Sequence, residues 1–301
     1  MGERIGVLYR PEWPPEELPA FARGAEHDGF DELWVVEDCF LAGGPTMAAT
    51  ALAVTTRLGV GIGLLPAAVR NPAIVAMEIA GLARLHPGRL TAAFGHGVEP
   101  WMRQIGARAP DRLAVLEETI AAVRALLAGE TVTVEGRHVH LDGVRLDHPP
   151  AVPPSILVGS TGPRGLAIRA DGIVLPEGAV PAAVRWARAL AGDTARTIVY
   201  AWLSIDDDRA AAAAALRPAI EQWLTVDGYG HLRAHAGLGE DATNLEDDRV
   251  RALAIAGDAR DCARAMAELW AAGADTVVLI PRRDDRARQL ARFAAEVRPL
   301  L

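Results

Sequence analysis

A chain of 301 residues, half of them hydrophobic, has enough apolar material for one large core, and single α/β barrels commonly reach this size. Its net charge of −8, with both signs mixed along the chain, opposes a general affinity for nucleic acid or an anionic membrane and favours a small-molecule partner. Two cysteines, Cys39 and Cys262, supply neither a disulfide framework nor a metal pair, and no apolar run is long and uncharged enough to cross a bilayer.

Met1-Gly2-Glu3-Arg4 leads straight into a strand-like segment with no signal peptide, so a soluble cytosolic protein is expected. Residues 4–9 form a short apolar run, and 16–27 then carry Leu18, Phe21, Ala22 and Ala25 at helical spacing before Gly29. Strand and helix patterns alternate again at 30–36 and 45–55. In 57–65, glycine alternates with apolar residues, and a helix starting at Asn71-Pro72 runs to Leu85. Residues 88–97 make a fourth strand, and Asp111 can cap a long helix that ends at Leu127.

The rhythm breaks at 130–146, where 131–141 alternate with period two around a Glu-Gly turn, as an inserted hairpin would. Strands at 155–159, 171–175 and 196–205 follow, separated by an unusually short helix after Pro163 and one at 181–191. A helix at 207–225 leads into a polar, glycine-containing excursion over 227–248, which reads as a lid or partner-facing segment. A helix at 258–272, an eighth strand at 275–280 and a helix at 284–297 close the chain. Eight βα units predict one α/β domain over 1–301, a (βα)8 TIM barrel with an inserted hairpin and an excursion before its last unit.

Ser155-Ile156-Leu157-Val158-Gly159-Ser160-Thr161-Gly162-Pro163-Arg164 delivers a strand into small residues and a helix start. Gly159 and Gly162 permit a tight turn, Ser160 and Thr161 offer hydroxyls, and Pro163 suits a first helical position, so exposed amides can face a phosphate. Glu37 and Asp38 end the second strand, where a barrel collects catalytic side chains; neighbours on a strand face opposite ways, so one of the two is expected to reach the site. His96, between two glycines at the end of the fourth strand, is a candidate proton donor or a structural histidine. Arg70, Arg164, Arg282 and Arg283 are candidate cations for an anionic ligand. His138 with His140 and His231 with His235 have spacings a metal could use, but exposed hairpin and helix histidines are the better reading, and no metal is expected. Trp13, Trp101, Trp202 and Trp223 can wall a pocket or fill core.

The chain resembles the bacterial luciferase-like superfamily of flavin and deazaflavin enzymes. The matching pieces are Gly29-Phe30-Asp31-Glu32-Leu33-Trp34, Gly61-Ile62-Gly63-Leu64-Leu65-Pro66 with Arg70-Asn71-Pro72, and Leu85-His86-Pro87-Gly88-Arg89-Leu90 into Gly95-His96-Gly97. Gly159-Ser160-Thr161-Gly162-Pro163, Ala170-Asp171-Gly172-Ile173-Val174 and Ala256-Gly257-Asp258 before Ala272-Gly273-Ala274-Asp275 complete the series. The resemblance implies a barrel whose carboxyl end holds coenzyme F420 or reduced FMN, with the phosphate at the loop after the fifth strand. It implies cofactor contacts from Gly61, Gly63, Leu64, Arg70, Gly95 and Gly97, alongside Gly159, Ser160, Thr161, Gly162 and Arg164, and a cis peptide at Gly63-Leu64. Relatives often have Asp-His where this chain has Glu37-Asp38, and an acid where it has Val98, with Glu99 one position beyond. The expected activity is hydride transfer between F420 and a small organic substrate; the alternatives are an FMN-dependent oxygenase fed by a reductase partner, or a cofactor-free binding barrel. A homodimer through the early barrel helices is a further implication.

Overall fold

The computed structural model describes residues 3–239, 241–282 and 285–301. In chain order the first half gives β1 (Arg4–Tyr9), α1 (Leu18–His27), β2 (Glu32–Val35), α2 (Gly44–Ala53), β3 (Gly59–Pro66), α3 (Pro72–Leu85), β4 (Leu90–Gly95), α4 (Glu99–Gln104) and α5 (Arg112–Leu127). The hairpin β5 (Val132–Glu135) and β6 (His140–Val144) follows, then β7 (Ser155–Gly159), α6 (Pro163–Leu166), β8 (Gly172–Leu175), α7 (Pro181–Ala191) and β9 (Arg196–Ile205). The rest is α8 (Arg209–Leu224), α9 (Gly230–His235), α10 (Asp247–Ala252), β10 (Ile255–Gly257), α11 (Ala259–Ala271), β11 (Thr276–Pro281) and α12 (Arg286–Arg292).

Eight strands close a parallel barrel in the order β1-β2-β3-β4-β7-β8-β9-β11, with β11 returning to β1. β5 and β6 pair only with each other, as the predicted insertion requires. Because helices cover the outside and side chains fill the inside, the barrel strands are buried on both faces, and their sequences read as continuous apolar runs. Glycine makes room where the interior is widest: a Cβ at Gly61 or Gly63 would collide with the Trp34 indole.

Side-chain caps fix the helix starts as the sequence suggests. Asn71 accepts from the Ala73 amide at 2.9 Å, Asp111 from Ala114 at 3.1 Å, and Asp258 from both Arg260 and Asp261 at 2.9 Å. The predicted helix at 16–27 divides into a 3-10 turn over Pro15–Glu17 and α1, and the last helix passes from α12 into a π-turn over Phe293–Val297. The excursion is more ordered than its composition suggests: it contains α9 and the start of α10, both with a buried anchor, Leu232 and Val250.

The amino ends of the barrel strands are closed by a buried ion cluster. Glu32, 4% exposed, faces Arg4 at 3.1 Å, accepts from Trp34 Nε1 at 2.8 Å and pairs with Arg196. Arg196 also donates to Thr276 Oγ1 at 3.0 Å. No described helix is long and apolar enough to cross a membrane.

Candidate active site

The opposite, carboxyl end of the strands forms the mouth. Behind β1, Tyr9 donates to the Pro14 carbonyl at 2.5 Å and packs edge-on against Trp13, which shapes the loop carrying Arg10 and Glu12. Arg10 grips Glu12 through Nε at 3.1 Å and Nη2 at 2.7 Å.

Behind β2, Glu37 and Asp38 take different fates, in keeping with the alternation of a strand. Glu37 accepts from the Gly44 amide at 2.9 Å and from Arg70 Nη2 at 2.7 Å, with a second contact to Nη1; Arg70 Nε adds Glu78 at 3.2 Å. These bonds clamp the β2 and β3 loops together. They correct two sequence readings: the Glu37 carboxylate and the Arg70 guanidinium are held by each other, and neither is free to serve a ligand. The Asp38 carboxylate makes no hydrogen bond to a described residue. Burial pushes its pKa up to about 6, Glu12, Glu177 and Glu37 add to the rise, and Arg10 opposes it.

Glu177, in the loop after β8, is raised by burial, with Glu12 adding and Arg10 opposing. Its neighbour Gly178 has φ +81° and lies against Trp223, where a Cβ would collide with the indole. Tyr229, from the excursion, sits half-buried with its ring centroid 6.1 Å from that of Trp223; burial raises its hydroxyl, and Glu177 and Asp38 add to the shift. Arg10, Glu12, Glu177 and Tyr229 all escaped sequence reasoning. For Arg10 and Glu177 a signal existed, since each follows the end of a barrel strand by no more than two residues. For Tyr229 there was none.

The floor of the mouth is at β3. The Gly63-Leu64 peptide is cis, as the resemblance implied, and so is Cys39-Phe40, which nothing in the sequence signalled. Tyr200 donates to the Gly63 carbonyl at 3.2 Å. Leu64 fills the space beside Gly95 and Gly159, so a Cβ on either would strike its δ-carbons. The glycines at 61, 63, 95 and 159 therefore have a packing role toward Trp34, Tyr200 and Leu64, which the sequence reading had assigned to ligand contact alone. Gly97, at φ +68°, lies against Met102.

The anion loop follows β7. Ser160 Oγ accepts from the Gly162 amide at 3.3 Å, and Thr161 Oγ1 donates to the Gly228 carbonyl of the excursion at 2.7 Å. Around Gly162 the space is open, with nothing within 4 Å of a built Cβ, and Arg164 is exposed. Gly165, in the four-residue α6, lies against Ser160, with His96 Nε2 4.0 Å from its built Cβ. His96 Nδ1 is buried and has no described hydrogen-bond partner; burial and the Arg112 charge lower its pKa, which leaves a neutral ring at pH 7. Glu99 begins α4, pairs with Arg108 at 2.9 Å and Arg112 at 3.6 Å, and lines the same small cavity as His96.

The mouth thus has an acidic side at β1, β2 and β8 and a loop side at β4 and β7. His96 and Glu99 join the second, Asp38 the first. Other candidates lie elsewhere: His140 faces Glu135 at 3.1 Å, His231 and His235 stack on Trp186, and Arg282 donates to Asp285 at 2.6 Å. Arg283 lies outside the described residues. Trp202 and Trp223 pack edge to face, 6.2 Å apart, in the wall beneath Tyr229. No group of three metal-ligating side chains is assembled among the described residues.

The family described as luciferase-like monooxygenase matches residues 3–276. The chain is 30% identical to a 5,10-methylenetetrahydromethanopterin reductase of Methanolobus tindarius over 224 residues, 70% of this chain and 68% of that one. It is 27% identical to an F420-dependent glucose-6-phosphate dehydrogenase of Kineococcus radiotolerans, across 96% of this chain and 94% of that one. Its fold is shared with the coenzyme F420-dependent tetrahydromethanopterin reductase of Methanopyrus kandleri at a TM-score of 0.84, with 20% identity and coverage of 100% and 99%.

Proposed function

Because the chain belongs to the luciferase-like monooxygenase family, we propose that it is a deazaflavin-dependent oxidoreductase, moving hydride between coenzyme F420 and a small organic substrate at the barrel mouth. The observation that carries the reading is the near full-length likeness to an F420-dependent dehydrogenase, combined with a mouth that offers one poised carboxyl.

The residues present fit a phosphate-bearing cofactor. His96 Nδ1 is an unsatisfied buried atom beside the Ser160-Gly165 turn, the loop at Gly162 is open, and the first-turn amides of Arg164 and Gly165 have no partner within α6. Ser160, Thr161, Gly162 and Arg164 would hold the phosphate, with Leu64 and Gly63 under the ring. The chemistry supplied by such a ring is two-electron hydride transfer.

The chain's own residues do the rest. At a pKa of about 6, the Asp38 carboxyl oxygen can take a proton from a substrate hydroxyl as hydride leaves, or return it in the reverse direction. Arg10, fixed by Glu12, orients the substrate beside Asp38, and Glu177 keeps the Asp38 proton affinity high. Tyr229 and the excursion exclude water from above. The neutral His96 donates or accepts one hydrogen bond on the loop side.

Titration of the purified chain with F420 and with FMN, followed by fluorescence quenching, tests this. Micromolar binding of F420 alone supports it; binding of FMN alone favours an oxygen-using enzyme with a reductase partner, and binding of neither favours a cofactor-free barrel.

The outward face of α3, where Ile74, Met77 and Leu85 are 51%, 58% and 74% exposed, supports a homodimer through the early barrel helices, to be checked by light scattering. Two free cysteines, Cys39 and the buried Cys262, suit a reducing cytoplasm.

A further inference from the structure

A seam runs through the barrel wall on one side of β9. β8 pairs with β9 only as far as Leu175 opposite Val199, and β10 takes up the same side only from Ile255 opposite Leu203. Residues 200–202 have no strand on that side. A cavity of about 230 Å³ opens there, beneath α10 and between α7 and α11.

Its floor is apolar, with Ala201, Ala254, Ala256 and Leu269 among its lining. Its rim carries an excess of buried cationic donors. Asp261, 5% exposed, accepts from Arg209 at 2.8 and 3.0 Å and from Arg264 at 3.0 Å, with Arg251 at 3.8 Å. One buried carboxylate thus faces three guanidiniums. The other acids on the rim, Asp248 and Glu268, have side chains 88% and 59% exposed, where water screens their charge. Arg251 is the least exposed of the three arginines at 16%, and its Nε–H is buried with no acceptor among the described residues. A buried guanidinium N–H without an acceptor is unfavourable, and a carboxylate oxygen satisfies it. Arg233, Arg282 and Arg298 also have unpaired buried N–H groups, but none of them lines this cavity.

We propose that this cavity is a second binding site, separate from the barrel mouth, for a short-chain aliphatic carboxylate. The carboxylate is taken by Arg251 and Arg264 and the alkyl body lies on the alanine-rich floor. The volume suits a molecule smaller than a drug-sized ligand. Tyr200 forms part of the wall and, through its hydroxyl on Gly63, part of the mouth floor as well.

Calorimetric titration of the full chain with hexanoate, acetate and inorganic phosphate tests the site without any cofactor. Saturable one-site binding of hexanoate is expected, with acetate and phosphate at least tenfold weaker because they cannot use the floor. Arg251→Gln is expected to weaken hexanoate at least tenfold. Ala265→Leu, which fills the cavity from α11 and touches none of the ion pairs, is expected to abolish binding while circular dichroism stays native. The proposal is overturned by absence of saturable hexanoate binding, by phosphate binding as tightly as hexanoate, or by unchanged affinity in folded Ala265→Leu.

Discussion

Both ends of the barrel bury carboxylates, and the two ends treat them in opposite ways. At the amino end, Glu32 faces Arg4, Arg196 and the Trp34 indole, so every oxygen has a partner. At the carboxyl end, Glu12, Asp38 and Glu177 surround a single guanidinium, Arg10, whose described hydrogen bonds all go to Glu12. A paired buried carboxylate holds a fold together. An under-paired one keeps its proton into the neutral range and becomes available for chemistry. The same distinction separates Glu37, locked by Arg70 and Gly44, from Asp38, one residue along.

The sharpest way to break this comparison is Asp38→Asn. If Asp38 moves the proton, turnover is expected to fall by roughly 10²–10⁴-fold, measured as kcat with F420 and substrate. Stability is expected to move the other way. The folded-state pKa of about 6 lies above the ordinary carboxylate value of 3.8, so the fold disfavours the charged form. The stabilising influence of the protonated group is complete below pH 3.8 and is lost as pH rises through 6. Asp38→Asn is therefore expected to raise stability at pH 7.5 by up to about 3 kcal/mol and to change little near pH 3.5, read by thermal melts across that range. A melting temperature unaffected at pH 7.5 would remove the electrostatic strain assigned to the mouth.

Glu32→Ala is the counterpart at the other end. It strands the Arg196 guanidinium inside the barrel, and a loss of about 3–5 kcal/mol in denaturant unfolding is expected. The pH dependence of turnover should keep its midpoint. A third substitution, Glu177→Gln, removes one of the charges that raise Asp38, so the acidic limb of the pH–rate profile is expected to move down by a fraction of a pH unit with little effect on kcat at its plateau. Movement of that limb upward would mean that Glu177 acts on Asp38 in some other way.

The eight strands were legible because each is buried on both faces and is punctuated by glycine, proline or a capping residue, which are local signals. The hairpin was legible from its alternation. The short elements α4, α9, α10 and β10 were not, since their stability comes from elsewhere in the chain: Arg217 reaches the Leu245 carbonyl and Asp247 at 2.5 Å to hold α10, and β10 exists by pairing with the end of β9. The anion loop and His96 could be found because a strand ending in small residues is itself a signal. The acidic side could not be assembled in the same way, because Arg10, Asp38, Glu177 and Tyr229 meet only when the barrel closes. Adjacency in sequence even misled, since it gave Glu37 and Asp38 equal standing until Arg70, 33 residues on, took one of them.

The smallest effect concerns the link between the two sides of the mouth. Thr161, on the anion loop, donates its one hydroxyl proton to the Gly228 carbonyl, next to Tyr229 on the acidic side. A phosphate oxygen is also an acceptor, so the same proton cannot serve both. Thr161→Val keeps the shape and removes the donor, and a loss of roughly 0.5–1.5 kcal/mol in global stability is the upper range, because the bond is exposed. The more telling readout is local. Proteolysis within 226–239 is expected to quicken in the variant, whereas cofactor affinity falls only if Thr161 turns from Gly228 to the phosphate on binding. Unchanged proteolysis with weakened cofactor binding would place Thr161 on the phosphate from the start, and would leave the excursion held by Tyr229 and Leu232 alone.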